Sequence, residues 1–523
     1  MNDDKPAEVP ARRERRGGRA ARGQRAAEAK GEQKQFRQPQ RRFPPMQIVS
    51  DDELEAIHDT SLKVLEEIGM DFLEPQARAL LKSAGAEVTA GAQRVRFDRG
   101  LILERIKTAP SQFTLHARNP AHNLRFGGDS IVFAQVASAP NCSDLDAGRR
   151  PGSHDDFRNL VKLAQSYNII HMTGGYPVEP VDLHASIRHL ECLRDLATLT
   201  DKAFHAYSLG RDRNRDALEI VRIARGITAS QLDTEPSLIS VINSSSPLRL
   251  DAPMLQGIME MSARGQPIIM TPFTLAGAMA PVTIAGALAQ QNAEALAGIA
   301  FTQIVKPGAP VVYGGFTSNV DMKSGAPAFG TPEYMKAAIV GGQLARRYRL
   351  PYRTSNACAA NTVDAQAAWE STLSLWGAVM GGGNFILHAA GWMEGGLTAS
   401  FEKTIVDVDL LQMIAEFLTP LDVSPDALAL DAMHEVGPGG HYFGTEHTQA
   451  RYQTAFYAPL LSDWRNFENW QDAGGPTAYQ KANTVWKETL AAYQQPLMDQ
   501  AIREELDAFV GKRLAEGGVK TDF

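Results

Sequence analysis

A regular alternation of apolar runs and amphipathic stretches organises the middle of the chain and limits the folds open to it. Eight short apolar runs begin 30 to 43 residues apart, at 131–136, 169–173, 203–207, 237–242, 267–271, 310–313, 352–355 and 385–388. Stretches with helical spacing lie between them, at 153–167, 184–199, 212–227, 251–264, 289–305, 332–348 and 364–380. An eighth helix would follow from Ser400. An open doubly wound sheet usually stops at five or six strands, so the pattern predicts an α/β protein with a (β/α)8 TIM barrel over residues 129–419.

Two segments flank the predicted barrel. Residues 46–128 predict a small N-terminal α+β unit packed on the barrel, whose first helix is capped by Ser50 and has an acidic first turn. Residues 420–523 predict a C-terminal helical extension that ends in one long helix near 479–513. Within this extension the aromatic residues of DWRNFENW, at 463–470, are interpreted as a packing seam onto the barrel.

The first 45 residues differ from the rest in charge. They hold 13 Lys/Arg and 6 Asp/Glu, although the whole chain has a net charge of -7. With few apolar residues they cannot offset their ordering entropy, which predicts a disordered Arg-rich tail. The arginines could bind polyanions, but no aromatic residue interleaves with them before Phe36. A solvated tail is therefore the preferred interpretation, and nucleic acid is not expected as a partner.

The remaining composition excludes several classes of protein. Apolar residues make up 44% and charged residues 22%, which is ordinary for a globular protein. No apolar run approaches the roughly 18 to 20 residues of a membrane span, and no secretory leader is expected. Cys142, Cys192 and Cys358 are too few and too scattered for a disulfide framework. We therefore expect a cytoplasmic protein without a membrane partner.

In barrels of this kind the chemistry lies at the carboxyl ends of the strands. These ends carry five aromatic residues, Tyr176, Tyr207, Phe273, Phe316 and Trp392. They also carry polar residues, namely Gln135, His205, Asn243, Asn356 and His388. Glu394 is their one acidic residue, which argues against glycoside hydrolysis, and no strand-end Lys supports an aldolase. Aromatic faces with one carboxylate suit a quaternary or protonated amine.

Two other candidate sites receive less weight. His441 and His447, with Glu446 beside them, could share a divalent ion, but no further ligand is close in sequence, and we predict no metal site. Cys358 could act as a nucleophile at a strand end, yet its alanine neighbours supply no activating group. An inert buried thiol is at least as well supported.

Several collinear segments resemble a known family. They are DELEAIHDTSLKVLEEIGM (52–70), SSSPLRL (244–250), GAMAPVTIAGALAQQNAEALAGIAFTQI (277–304), APVVYGGFTSNVDMKSGAPAFGTPE (309–333), LPYRTSNACAANTVDAQAAWES (350–371) and AGWMEGGLTASFEKTIVD (390–407). Over roughly residues 46–510 the chain resembles the trimethylamine methyltransferase family of corrinoid-dependent methyltransferases. The resemblance implies a (β/α)8 barrel, in agreement with the periodicity.

One departure from the family bears on the substrate. The founding trimethylamine enzymes carry pyrrolysine at the stretch that matches Asn356, Ala357 and Cys358, where this chain has ordinary residues. The resemblance therefore implies the branch without pyrrolysine, which includes demethylases of quaternary amines such as glycine betaine. A quaternary amine already carries its charge and leaves as a neutral tertiary amine, so it needs positioning and a cation-stabilising cage.

The resemblance then implies a function and a set of roles. The function is transfer of a methyl group from a quaternary amine to Co(I) of a corrinoid protein. Because the chain lacks a DxHxxG pattern, the corrinoid would arrive on a separate protein and none would be tightly bound here. The alternatives are a trimethylamine:corrinoid methyltransferase without pyrrolysine and a non-catalytic protein that binds quaternary amines. A homo-oligomer is left open.

The implied roles fall on four groups of residues. Asn356, Ala357, Cys358 and Glu394 occupy the catalytic positions, with Glu394 facing the ammonium. Phe316, Tyr207, Tyr176 and Trp392 would form the cage. Arg249 or Arg353 would pair with a substrate carboxylate. Polar orientation would come from Gln135, His205, Asn243, Asn356 and His388.

Overall fold

The computed structural model describes residues 33–89 and 91–520 and is built around a six-stranded parallel sheet. Its strands are β1 Val132–Gln135, β2 Ser240–Ser244, β3 Ile268–Pro272, β4 Val311–Gly314, β5 Tyr352–Ser355 and β6 Phe385–Ala390. They are hydrogen-bonded in the order β1-β6-β5-β4-β3-β2, and every pair is parallel. Six of the eight predicted strands are thereby confirmed.

The other two predicted runs, 169–173 and 203–207, form single-residue bridges instead of regular strands. Met172 makes parallel bridges to Ala134 and to Ala203, and His205 makes one to Ile239. The prediction of two regular strands is wrong because imidazole rings replace part of the backbone ladder. The Nδ1 atom of His171 accepts the N–H of Phe133 at 2.9 Å, and Nε2 of His205 accepts the N–H of Val241 at 2.9 Å.

Eight helices follow the strands and bridges and pack around the sheet. They are α1 His154–Ser166, α2 Arg188–Leu199, α3 Arg211–Arg225, α4 Ala252–Ala263, α5 Ile284–Val305, α6 Pro332–Arg347, α7 Ala365–Met380 and α8 Phe401–Phe417. Capping side chains define several starts, such as Ser153 before α1 and Asp364 before α7. All eight predicted helices are confirmed, with boundaries shifted by a few residues.

Apolar side chains close the amino end of the sheet. The hairpin of strands Phe113–Leu115 and Leu124–Phe126 packs into a cluster with strand residues that include Val132, Ile269 and Val312. The ring of Phe126 lies 5.6 Å from that of Phe385 at the start of β6. This hairpin fills the space below the strands, so the opposite, carboxyl end is where polar side chains converge.

The rest of the N-terminal part forms a second, smaller sheet beside helix α5, where the rings of Phe72 and Phe301 lie 5.9 Å apart. Strands Met70–Phe72, Glu87–Val88 and Arg94–Arg96 combine with Arg249–Leu250, which pairs in parallel with Met70–Phe72. The helices of this part are Asp51–Lys63, the π-helix Val64–Ile68, Pro75–Ser83 and Arg99–Ile106, and a 3-10 turn spans Pro120–His122.

Residues 33–45, which the sequence assigned to the disordered tail, are packed. The Phe36 ring lies 4.4 Å from His122 and 5.5 Å from His171, and the buried Arg41 pairs with Asp129 at 2.9 Å. The predicted boundary at residue 45 is therefore wrong, because one aromatic and one ion pair anchor this segment. The remainder of the predicted tail, residues 1–32, lies outside the described residues.

The C-terminal extension is helical, but it departs from two predictions. Its helices are Pro425–Leu428, Leu430–Val436, Glu446–Arg451, Phe467–Asp472, Ala478–Ala491 and Gln500–Ala515. The predicted long final helix is wrong: it breaks where Pro496 removes a backbone donor. The predicted aromatic seam is also wrong, since Trp464 is 76% and Phe467 64% exposed. None of the helices in the described part of the chain combines the length and apolar character of a membrane span.

Candidate functional site

A cavity of about 430 Å³ opens at the carboxyl ends of the parallel strands. The structure brings seven of the predicted site residues to its wall, namely His205, Tyr207, Asn243, Phe316, Arg353, His388 and Trp392. Asn243 lies on β2, Arg353 on β5 and His388 on β6. Because the strands are parallel and in register, side chains from distant parts of the sequence meet at this end.

Aromatic rings form much of the cavity wall. Phe316 stacks on Phe273 with ring centroids 5.2 Å apart and contacts Trp392 at 5.8 Å. Tyr207 also lines the cavity, and its hydroxyl bonds Ser138 Oγ at 2.6 Å. Tyr176 is buried behind Tyr207, at 4.6 Å and edge to face, and does not line the cavity. Ring faces of this kind attract a cation.

Arg353 is the buried cation of the site. Its side chain is 3% exposed, its Nη1 donates to the carbonyl of Gly315 at 3.3 Å, and its guanidinium lies 5.1 Å from the Phe316 ring. Nε makes no hydrogen bond, and among the described residues no carboxylate lies within ion-pair distance. Burial lowers the pKa of Arg353 to about 10, so it stays charged at neutral pH. An unpaired buried cation is costly, which favours an anionic group on the ligand.

The two histidines of the cavity are neutral. Since Nε2 of His205 accepts the backbone N–H of Val241, the ring proton resides on Nδ1. His388 stacks on Trp392 with centroids 4.6 Å apart and an interplanar angle of 12°. Burial, together with the smaller effect of the nearby Arg353, lowers the pKa of His205 to about 3 and that of His388 well below its ordinary value. These rings can hydrogen-bond a ligand without adding charge.

The acidic residue at the cavity is not the predicted one. Glu394 does not line the cavity, because its carboxylate accepts from Arg149 Nε at 2.9 Å. Glu179 does line it, pairs with Arg188 at 3.2 Å, and has a pKa raised by burial. Sequence reasoning missed Glu179, although its position three residues after Tyr176 could have pointed to it.

Three other predicted polar residues lie away from the cavity. Gln135 is fully buried and donates to the carbonyl of Leu160 at 2.7 Å, and Asn356 donates to the carbonyl of Ala389 at 3.1 Å. Arg249 is exposed on the small N-terminal sheet, opposite Asp71. Of the two arginines considered for a carboxylate, only Arg353 therefore lines the cavity.

The stretch that matches pyrrolysine in the founding enzymes is buried as well. Ala357 and Cys358 are both 0% exposed and do not line the cavity. Burial raises the pKa of Cys358 to about 12, so its thiol is protonated and a poor nucleophile. Among the described residues, no group of three or more His, Cys, Asp or Glu side chains is placed to hold a metal ion. This applies to His441, Glu446 and His447 as well.

Several cavity residues received no role from the sequence. Ser138, Ser208, Met254, Thr271 and Phe273 all line the wall. Thr271 and Phe273 stand at the end of β3, and Phe273 was already among the strand-end aromatics. The other three come from loops and a helix, and no local pattern marks them.

The burial of all three cysteines gives a direct test of thiol chemistry. Cys142, Cys192 and Cys358 are 0% exposed and burial raises the pKa of each. We expect Ellman's reagent at pH 8 to leave the native protein unmodified and to modify three thiols after denaturation in guanidinium. A native thiol that reacts quickly and is protected by a quaternary amine would instead make Cys358 a reactive group of the site.

Comparison with known proteins places the chain in a family. The sequence profile described as trimethylamine methyltransferase (MTTB) matches residues 15–518. A glycine betaine methyltransferase of Desulfitobacterium hafniense (strain Y51) is 37% identical over 477 residues, 91% of this chain and 99% of the relative. The trimethylamine methyltransferase MttB of D. hafniense (strain DSM 10664 / DCB-2) is 28% identical over 474 residues, 90% and 94% of the two chains. The crystal structure of a hydroxylamine complex of MtmB is similar over 91% of this chain and 98% of its own, at 12% identity and a TM-score of 0.48. The sequence-based prediction is thus confirmed by the profile and both relatives: the chain belongs to the trimethylamine methyltransferase family.

Proposed function

We propose that this protein is a methyltransferase that moves a methyl group from a betaine-type quaternary amine to Co(I) of a separate corrinoid protein. The buried, unpaired Arg353 beside aromatic rings carries the proposal. The relative that is 37% identical is named for glycine betaine, and the chain lacks pyrrolysine at the stretch around Ala357. Both facts support a substrate that already bears a quaternary nitrogen.

The cavity matches both charges of a betaine. The faces of Tyr207, Phe316 and Trp392 suit the trimethylammonium group, and the guanidinium of Arg353 suits the carboxylate. Trimethylamine has no carboxylate and would leave Arg353 unpaired. A ligand with one cationic and one anionic end therefore compensates the site better than trimethylamine does.

In the proposed reaction the residues of this chain act mainly by positioning the substrate. The Co(I) electron pair forms the new bond to the methyl carbon, and the C–N electron pair returns to nitrogen, so the substrate leaves as a neutral tertiary amine that still bears its carboxylate. No proton is transferred in this displacement, so the neutral His205 and His388 and the protonated Cys358 are compatible with it. The residues at the wall hold the ammonium, exclude water and direct one methyl group towards the opening.

Further proposals concern the closure of the barrel, the cellular compartment and the partner that carries the corrinoid. We infer that the six strands and the bridges at Met172, Ala203 and His205 together form a closed (β/α)8 barrel, since they link β1 to β2 on the side that the sheet leaves open. The three unpaired cysteines suit the reducing cytoplasm. We place the corrinoid on a partner protein that docks at the carboxyl end.

Methyl transfer followed optically under anaerobic conditions tests the function. We expect a methylated corrinoid to form from glycine betaine or a close analogue and not from trimethylamine, with free cob(I)alamin or with a cognate corrinoid protein. Transfer from trimethylamine alone would contradict the betaine assignment. Betaine binding without transfer to the corrinoid protein would identify a non-catalytic binder.

Exchanging Arg353 tests carboxylate recognition. Arg353→Met removes charge-assisted hydrogen bonds worth about 1.5–3 kcal/mol, so kcat/KM for the betaine should fall about 10- to 150-fold. Arg249→Met is the matched control, because that arginine is exposed and outside the cavity, and its kcat/KM should stay near the wild-type value. If kcat/KM fell in Arg249→Met and stayed unchanged in Arg353→Met, the assignment of carboxylate binding to Arg353 would be refuted.

Exchanging Phe316 tests cation recognition. Phe316→Leu keeps an apolar side chain but removes the ring face, and it should weaken betaine binding about 2- to 30-fold by calorimetry. The control is a ligand, 3,3-dimethylbutanoate, which keeps the shape and carboxylate of glycine betaine and replaces its nitrogen by carbon. An equal loss for both ligands would show that Phe316 contributes packing and no cation–π interaction.

A further inference from the structure

A 36-residue segment of the C-terminal extension makes its hydrogen bonds and ion pairs within itself. We call residues 421–456 the arm. It follows α8, and just beyond it the Tyr457 hydroxyl donates to the carboxylate of Asp409 at 2.6 Å. Every hydrogen bond and ion pair that the structure gives arm residues joins two residues of the arm, as in the pair of Arg451 with Asp426. Within the described chain, nothing polar fixes the arm against the barrel helices.

The arm exposes an unusual amount of apolar surface. Nine large apolar residues are between 47% and 87% exposed: Leu421, Val423, Leu428, Leu430, Met433, Tyr442, Phe443, Tyr452 and Phe456. At about 150–250 Å² for each aromatic side chain, the four rings alone leave on the order of 500 Å² accessible. With the aliphatic residues this approaches the roughly 800 Å² that one partner contributes to a standard interface.

The arm cannot be ordered by its own helices. They span Pro425–Leu428, Leu430–Val436 and Glu446–Arg451, each far shorter than the about 12–15 residues at which isolated helices become marginally stable in water. Ala432 and Thr445 are the buried residues of these three helices and their caps. A surface that covers the apolar side chains would stabilise the arm.

A second apolar surface lies on the same chain, on the outer faces of α7 and α8. Trp369 and Leu373, one turn apart on α7, are 57% and 36% exposed, and Met413 and Phe417 on α8 are 37% and 55% exposed. The rings of Trp376 and Phe417 lie 4.9 Å apart, so the two helices form one surface, which we call the α7–α8 stripe. The only charged residue of α7 is Glu370, which is buried. Outer helices of a monomer usually carry charged residues on the solvent face.

We propose that the arm of one copy of the protein covers the α7–α8 stripe of a second copy. Both surfaces belong to one chain, so a two-fold arrangement buries two arms and two stripes at once. Arm-to-arm pairing is disfavoured by like charge, because the arm carries Asp422, Asp426, Asp431, Glu435 and Glu446 against one Arg451. The stripe offers apolar area, and the partly exposed Glu416 beside it is already paired with Lys34, so the stripe is the complementary surface.

Sedimentation velocity of the full chain, from low to high micromolar concentration, tests the association. We expect a dimer or a larger assembly for the wild type and monomers for the double variant Leu421→Ser/Phe456→Ser. Leu497→Ser is the matched control: Leu497 is 95% exposed but lies outside both surfaces, so this variant should associate like the wild type. Far-ultraviolet circular dichroism checks that each variant is folded. A monomeric wild type, or a double variant that still associates, overturns the proposal.

Mixed cross-linking tests which surfaces meet. The native cysteines are buried, so Phe456→Cys and Trp369→Cys each add one accessible thiol. When the two variants carry different tags and are mixed, a short thiol cross-linker should join one to the other. If the cross-linker joined only two copies of the Phe456→Cys variant, the arms would contact each other and the arm-on-stripe arrangement would be refuted.

Discussion

Backbone hydrogen bonding at the two irregular strand positions sets the geometry of the cavity. A buried strand edge with free N–H groups is unfavourable, and here imidazole nitrogens of His171 and His205 accept two of those groups. Anchoring His205 in this way fixes the backbone around it. Because alternate residues of extended chain point the same way, Tyr207 is directed to the same cavity as His205. The departure from regular strands is therefore what supplies one wall of the site.

Charge in the cavity is controlled by desolvation. Arg353 keeps its charge because even its lowered pKa lies above neutral pH, whereas His205 and His388 lose theirs. If either imidazole were protonated, two like charges would face a cationic substrate within one small volume. In the proposed complex, burial thus gives one fixed cation for the carboxylate of the substrate and neutral rings around its ammonium group.

The sequence predicted more of the fold than of the site, for a physical reason. Helical and strand periodicity are local, so eight helices and six strands could be found, while the bridges at Met172 and His205 depend on side chains that replace backbone partners across the sheet. The choice between Arg249 and Arg353 depends on which sheet each joins. The partner of Glu394 is Arg149, 245 residues away, and no local pattern signals that pair.

The hairpin that fills the amino end of the sheet has a kinetic consequence. Phe126 packs against Phe385 and Leu115 is buried beside them, so in the proposed reaction the substrate and the corrinoid protein would share the opening at the carboxyl end. In the proposed reaction the amine must therefore enter before the partner seals the mouth, and the demethylated amine leaves after the partner departs. A shared opening would impose a compulsory order of addition, and excess corrinoid protein would then slow turnover by binding the enzyme while its cavity is empty.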